Sequence, residues 1–116
     1  MDTNITSANK KSPDIKWGKN CKVWKLFKGQ KFTILQEKMP PATEDSMHFH
    51  ANSEQFIFIL DGELFIEFKD KKVKLGPQEG IAIPLKKAHR VINSSDRETN
   101  FLLISTNGHR QDRIDI

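Results

Sequence analysis

The chain has 116 residues, 36% hydrophobic and 29% charged, which fits one globular domain with its own core and excludes a disordered or fibrous protein. The formal net charge of +4 comes from lysines and arginines spread along the chain, so we expect no nucleic-acid partner. No apolar run approaches the roughly 18 residues of a membrane helix, so we expect no membrane partner. We expect a cytoplasmic protein, because no apolar signal core precedes the domain and the lone Cys21 cannot form an internal disulfide.

The N-terminal part predicts a leader followed by a hairpin. Residues 1–16 are polar and are expected to form a flexible leader ahead of a barrel domain at 17–106. Segments 21–27 and 31–39 alternate apolar and polar residues in the manner of strands, and Lys28-Gly29-Gln30 between them is typical of a turn.

The rest of the chain predicts more short strands and no helix. Asp61-Gly62 indicates a tight turn, and 107–116 are expected to form a polar tail. Many short strands separated by turns indicate an all-β sandwich or barrel. Strands are predicted at residues 47–50, 55–60, 64–68, 73–75, 81–84, 89–93 and 99–105.

Two histidines share one face of a predicted strand. His48 and His50 are two positions apart, so both side chains point the same way and can take adjacent positions around a metal ion. Glu54 and Gln55 are the nearest oxygen donors, and strand alternation lets only one of them point inward. Gln55 shares its face with two isoleucines and Glu54 with two phenylalanines, so periodicity does not choose between them.

The stretch HFHANSEQFIFILDGEL, followed by LGPQEGIAIPLKKAHRVIN, resembles the two motifs of the cupin superfamily. These are commonly written G-x5-H-x-H-x3-4-E-x6-G and G-x5-P-x-G-x2-H-x3-N. The resemblance covers about residues 31–105 and implies an antiparallel β-barrel of the cupin type, also called a double-stranded β-helix or jelly roll. Positions that match the motifs are His48, His50, Gly62, Pro84, His89 and Asn93.

The chain departs from the motifs at three glycine positions. Ala42, Gln78 and Lys86 stand where the motifs have glycine in turns. We expect the nearby Gly76 and Gly80 to supply the backbone freedom instead.

The resemblance implies a metal site in which Gln55 replaces the usual glutamate. Six residues separate Gln55 from Gly62, as in the motif, and this spacing favours Gln55 over Glu54. A carboxamide leaves the charge of a divalent ion uncompensated, which favours an anionic ligand. The ion is iron, manganese, nickel, zinc or copper, and the sequence does not separate these. The expected metal ligands are His48, His50, Gln55 and His89.

Further predictions concern residues outside the expected ligand set. Glu37 is in phase with Thr33 and Leu35 and would suit an acid that orients a histidine, although a surface glutamate at a strand end is the favoured interpretation. His109 lies in the polar tail and is not expected to be a ligand. The alternating phenylalanines and isoleucines of residues 56–59 are expected to face two buried sides of a sheet, one of them in the homodimer that the resemblance implies.

These observations predict a small metal-binding cupin that acts on a small polar or anionic molecule. Related sites belong to dioxygenases, isomerases, decarboxylases and lyases, and no residue here selects one reaction or identifies a catalytic group. The alternatives are a cupin that binds or senses a small ligand without turnover, with or without a metal, and a purely structural barrel.

Overall fold

A computed structural model describes residues 5–106 and 112–116. In this part of the chain the regular structure is β-strand, which confirms the predicted all-β class, and no helix there is long and apolar enough to cross a membrane. The strands are β1 Ile15–Trp17, β2 Cys21–Lys28, β3 Phe32–Met39, β4 Thr43–Glu44, β5 His48–His50, β6 Gln55–Asp61, β7 Leu64–Phe68, β8 Lys72–Leu75, β9 Gly80–Ile83, β10 His89–Asn93, β11 Thr99–Thr106 and β12 Arg113–Asp115.

The strands form two antiparallel sheets that face each other. The first has the order β1-β2-β3-β11-β6-β9, and the second has the order β12-β5-β10-β7-β8, with β4 also paired to β10. Their inward side chains meet in one hydrophobic cluster, which includes Ile57 and Phe101 from the first sheet and Ile66 and Val91 from the second. The result is the predicted jelly-roll arrangement, a flattened barrel that encloses a core and a cavity.

Strand alternation decides which side chains enter the barrel. In β6, Gln55, Ile57 and Ile59 are buried, whereas Phe56 is 39% exposed on the outer face beside Phe58. The isoleucines therefore face the core as predicted. The phenylalanine face is open in the single chain, and its burial in a homodimer stays a prediction.

The Asp61-Gly62 turn between β6 and β7 requires glycine. Gly62 has φ +93°, and a Cβ there would lie 2.5 Å from Thr99 Oγ1 and 2.8 Å from Thr99 Cα. The predicted turn is present, and it depends on both the conformation and the small size of Gly62.

At three positions where the motifs have glycine, the chain has other residues, but its backbone still adopts a positive φ. Ala42, Gln78 and Lys86 have φ values of 58°, 65° and 63°, all in the left-handed region. Gly76 and Gly80 do not have positive φ, so the expectation that they supply the backbone freedom is wrong. The turns themselves fix these conformations, at a cost of about 1 kcal/mol or more for each residue with a Cβ.

Strands predicted between residues 21 and 105 are all present, with ends shifted by one residue at most. The sequence did not predict β1, β4 or β12, which are two or three residues long and too short for a pattern of alternation. β12 lies in the segment expected to be a polar tail, where it pairs with β5. His109 lies outside the described residues, and the domain boundaries stay a prediction.

Candidate metal and ligand site

Neighbouring strands of the second sheet bring three histidines together. His89 of β10 is the cross-strand partner of His48 of β5, and His50 follows two positions along on the same face. The ring centres lie 4.5 Å apart for His48 and His89, 5.2 Å for His48 and His50, and 6.2 Å for His50 and His89. All three side chains are buried, so the structure brings together the histidines that the motifs singled out.

Each of these histidines donates a hydrogen bond through Nδ1. His48 Nδ1 contacts Ser46 O at 2.8 Å, His89 Nδ1 contacts Lys87 O at 2.9 Å, and His50 Nδ1 contacts an Asp112 carboxylate oxygen at 2.8 Å. Carbonyl and carboxylate oxygens only accept, so each ring carries a proton on Nδ1, and the neutral form of each ring has this as its single N–H proton. The lone pair is therefore on Nε2, the arrangement found in metal-binding histidines.

Gln55 points into the cavity and Glu54 does not. Gln55 is buried, and its Nε2 donates to Ser105 Oγ at 3.1 Å, which leaves the carbonyl oxygen Oε1 available to a ligand. Glu54 is exposed at the barrel edge, where its backbone N–H donates to Thr106 Oγ1 at 2.9 Å. The structure therefore places Gln55, the residue favoured by spacing, in the lining of the cavity that the histidines also line.

Burial keeps two of the rings neutral. It lowers the pKa of His89 to about 4, aided by the neighbouring rings of His48 and His50 and opposed by the hydrogen bond to Lys87 O. Burial also lowers the pKa of His48. Neutral imidazoles at pH 7 keep the lone pairs that a metal ion or a proton donor would engage.

A cavity of about 660 Å³ lies between the two sheets, lined by the three histidines from the second sheet and by Gln55 from the first. Such a volume suits an organic molecule of moderate size. Charged side chains line the cavity together with hydrophobic ones, the latter comprising Ile15, Trp17, Leu35, Ile57, Val91, Phe101 and Leu103.

Glu37 is a cavity residue. It is 5% exposed, lines the cavity and accepts a hydrogen bond from Trp17 Nε1 at 3.4 Å. The favoured interpretation of Glu37 as a surface glutamate is therefore wrong. Thr33, Leu35 and Glu37 lie two positions apart along β3 and so share its buried face, and this spacing was the sequence signal for an inward side chain.

An ion pair lies beside His48. Arg113 donates from both terminal nitrogens to the carboxylate of Asp45, at 3.0 and 2.9 Å, and both residues line the cavity. Burial would raise the pKa of Asp45, but the hydrogen bonds and charge of Arg113 outweigh burial and lower it. Asp45 is therefore ionised at neutral pH, with one oxygen 3.8 Å from His48 Nδ1.

Asp112 is a site residue that the sequence did not reveal. It lies 62 positions from His50, in the segment expected to be a polar tail. Burial opposes ionisation of Asp112, but hydrogen bonds from Ser53, His50 and the Asn52 backbone outweigh it and lower the pKa. Only tertiary structure brings Asp112 to the histidine, so no local pattern predicts the contact.

The donor set fits a divalent ion by chemical type and by tautomer. Imidazoles bound to one ion through Nε2 at about 2.1 Å have ring centres about 4.5 to 6.4 Å apart, depending on the angle between the bonds. Among residues 5–106 and 112–116, however, no three His, Cys, Asp or Glu side chains stand as a group that could hold an ion. An ion would therefore require the rings to adjust from the positions they have here.

Comparisons with known proteins agree with the fold. The family model described as "Cupin domain" matches residues 35–105. A polyketide synthase, CurC of Streptomyces cyaneus, is 30% identical over 64 residues, which are 55% of this chain and 42% of that protein. The chain spans less than two thirds of the length of the curated relatives that it matches.

Solved structures resemble the chain over most of its length. The polyketide cyclase RemF of Streptomyces resistomycificus has a TM-score of 0.83 and 20% identity, with 100% of this chain and 86% of that chain covered. A predicted oxalate decarboxylase of Thermotoga maritima has a TM-score of 0.78 and 17% identity, with 89% and 98% covered. At these identities the likeness concerns the fold.

Proposed function

This chain belongs to the cupin domain family, and on that basis we propose that it is a metal-dependent cupin acting on a small organic molecule inside the barrel. The proposed metal ligands are Nε2 of His48, His50 and His89 and Oε1 of Gln55. The ion is divalent, and iron, manganese, nickel, zinc and copper all suit this donor set.

The observation that carries the proposal is the common tautomer of the three histidines. Each ring has its Nδ1–H engaged by an oxygen acceptor, and all three rings line the same cavity. A histidine buried only for packing needs no particular tautomer, whereas three rings with free Nε2 lone pairs suit a shared ligand.

The cavity favours a ligand with an apolar body and a polar or anionic end. Lys25, Lys28 and Arg113 line it against the two carboxylates of Glu37 and Asp45, and the proposed protein ligands are all neutral. A bound divalent ion would add positive charge and act as a Lewis acid on an oxygen of the ligand. The hydrophobic wall would hold the apolar body and exclude water from that end.

The residues suggest how the cavity would orient such a ligand. Glu37 would present a carboxylate held by Trp17, and Ser105 would keep the Gln55 amide in one orientation. Similarity to a polyketide synthase and a polyketide cyclase supports a partly apolar, oxygen-rich substrate for this chain. Dioxygenase-like, isomerase-like and lyase-like reactions all remain compatible with the proposal.

A homodimer in the cytoplasm completes the proposal. The outer face of β3, β11 and β6 is largely apolar, with Lys38 as a charged residue toward one end, and such a face would suit packing against a second copy. In the register of this sheet, Ile104 lies between Ile34 and Phe56, and Leu102 lies beside Phe58. The buried single thiol of Cys21 supports a reducing compartment.

Metal analysis of the purified protein tests the proposal. Chelator-treated protein would be reconstituted with each of the five ions, and bound metal would be measured by elemental analysis after buffer exchange. We expect about one ion per chain in the wild type, at least ten-fold weaker binding in His89→Ala, and no change in the exposed control Glu54→Gln. Protein that retains none of the ions would contradict the proposal.

The same samples distinguish an enzyme from a binding protein. Turnover of an oxygen-rich, partly apolar substrate by the metal-loaded protein, and its loss in His89→Ala, would support catalysis. Ligand binding that shifts thermal unfolding without product formation across a substrate panel would support the alternative of a sensing or binding cupin.

A further inference from the structure

β5 carries two of the histidines and is held mainly by the C-terminal strand. Among the described residues, β12 pairs with every residue of β5, whereas β10 pairs with β5 only between His89 and His48. Backbone hydrogen bonds of 3.1 Å join Ala51 N to Asp112 O and Ile116 N to Met47 O. Residues 112–116 therefore support the histidine strand along its whole length, although they lie beyond the stretch that the family model matches.

Asp112 begins this C-terminal segment with a buried carboxylate whose two oxygens have different partners. One oxygen accepts from His50 Nδ1 at 2.8 Å. The other accepts from Ser53 Oγ at 2.7 Å and from the Asn52 backbone N–H at 2.9 Å. The side chain is only 7% exposed, so water competes little for these bonds.

We propose that Asp112 is a positioning residue that holds His50 in the Nδ1–H tautomer, so that the lone pair of His50 Nε2 faces the cavity. The backbone N–H of Asn52 can only donate, which fixes one Asp112 oxygen as its acceptor. The remaining oxygen then has His50 as its partner, and a carboxylate oxygen there requires a proton on Nδ1. The effect on the tautomer is independent of any metal, whereas the effect on metal affinity rests on the proposed function.

Replacement of Asp112 by asparagine is expected to favour the opposite tautomer of His50. The amide has one acceptor and one donor group, and Asn52 N–H and Ser53 Oγ together favour the amide oxygen on their side. The amide NH₂ would then face His50 Nδ1 and require that atom to accept. The His50 proton would move to Nε2, and the lone pair would be lost from the cavity.

The test uses the metal-free, full-length protein with ¹⁵N-labelled histidine. Long-range ¹H–¹⁵N correlation spectra report which ring nitrogen carries the proton. We expect His50 to be Nδ1–H in the wild type and in the control Asp115→Asn, whose side chain is exposed at the end of β12 and contacts Arg113. We expect His50 to be Nε2–H in Asp112→Asn, with affinity for a reconstituted ion reduced about ten- to hundred-fold.

An Nε2–H tautomer of His50 in the wild type would overturn the inference without any variant. So would an Asp112→Asn protein that keeps the Nδ1–H tautomer, or one that binds metal as the wild type does. If the wild type binds no ion, the proposed function fails, while the tautomer spectra still decide the role of Asp112.

Discussion

Gln55 is the one proposed metal ligand that departs in type from the family motif. Its amide is neutral, it is buried, and Ser105 fixes its orientation. The residue therefore sets how much positive charge a loaded site would carry.

Conversion of Gln55 to glutamate tests this view. We expect Gln55→Glu to bind a divalent ion about ten-fold or more tightly, because a carboxylate compensates charge in a buried site. Isothermal titration of the chelator-treated protein measures the affinity. Glu54→Gln serves as the control, since the exposed side chain lies outside the cavity and its change should leave the affinity within about two-fold. Equal or weaker binding by Gln55→Glu would argue against Gln55 as a ligand.

Ala42 is an exposed residue with a left-handed backbone. We expect Ala42→Gly to stabilise the fold by up to about 1 kcal/mol, because relief of the left-handed strain exceeds the entropy that glycine adds to the unfolded chain. Urea denaturation measures the change. The same substitution at Ala82, in strand β9, should lower the free energy of unfolding by about 0.5–1 kcal/mol. Stabilisation of the fold by both variants, or destabilisation by both, would contradict this account.

At the scale of elements, the turn between β6 and β7 depends on Gly62. We expect Gly62→Ala to destabilise by about 2 kcal/mol or more, because the new Cβ meets Thr99. Thr99 cannot easily move, since Oγ1 donates to Glu63 O at 2.7 Å and accepts from Glu63 N at 3.1 Å. Thermal and urea unfolding give the measurement.

Gly76→Ala is the matched control for this turn. A Cβ at Gly76 would approach only the exposed carboxylate of Glu79, at 3.4 Å, and Gly76 lacks positive φ. Its stability should stay within about 0.5 kcal/mol of the wild type. Similar losses at both glycines would show that neither conformation nor crowding distinguishes Gly62.

The sequence predicted elements well where a pattern repeats over several residues. Alternation of apolar and polar residues predicted the strands of four or more residues, and the Asp61-Gly62 pair predicted the turn between β6 and β7. The sequence did not predict β4 or β12, because two or three residues are too few to show a period. It did not predict the contact between Asp112 and His50 either, because only tertiary structure brings these two residues together. Glu37 carried the right phase, but a charged residue near a strand end is more typical of a surface.

The motifs predicted those residues of the candidate site that their spacing along the sequence specifies. His48, His50 and His89 occupy adjacent strands as the resemblance implied, and Gln55 lies on the inward face. Glu37 and Arg113, which line the cavity, and Asp112, which contacts His50, lie outside both motifs. Asp45 lies within the first motif but at a position that the motif leaves unspecified, so the motifs predicted none of these residues.

At the scale of the whole molecule, the outer face of the first sheet is expected to join two copies. We expect the wild type to elute as a dimer and Phe56→Lys as a monomer in size-exclusion chromatography with light scattering, because a lysine would place a charge within an apolar interface. Leu85→Lys is the control, since Leu85 is 51% exposed in the loop between β9 and β10, away from that face. A monomeric wild type, or a dimeric Phe56→Lys, would contradict this arrangement.

The central claim is that one metal ion binds where β5, β6 and β10 bring their inward side chains together. Anomalous diffraction from crystals of the reconstituted protein, collected at the absorption edge of the loaded ion, tests it directly. The account predicts one strong peak about 2.1 Å from Nε2 of His48, His50 and His89, with Gln55 Oε1 beside it. Crystals of the metal-saturated protein with no peak in the cavity, or with the ion bound only elsewhere, would contradict it.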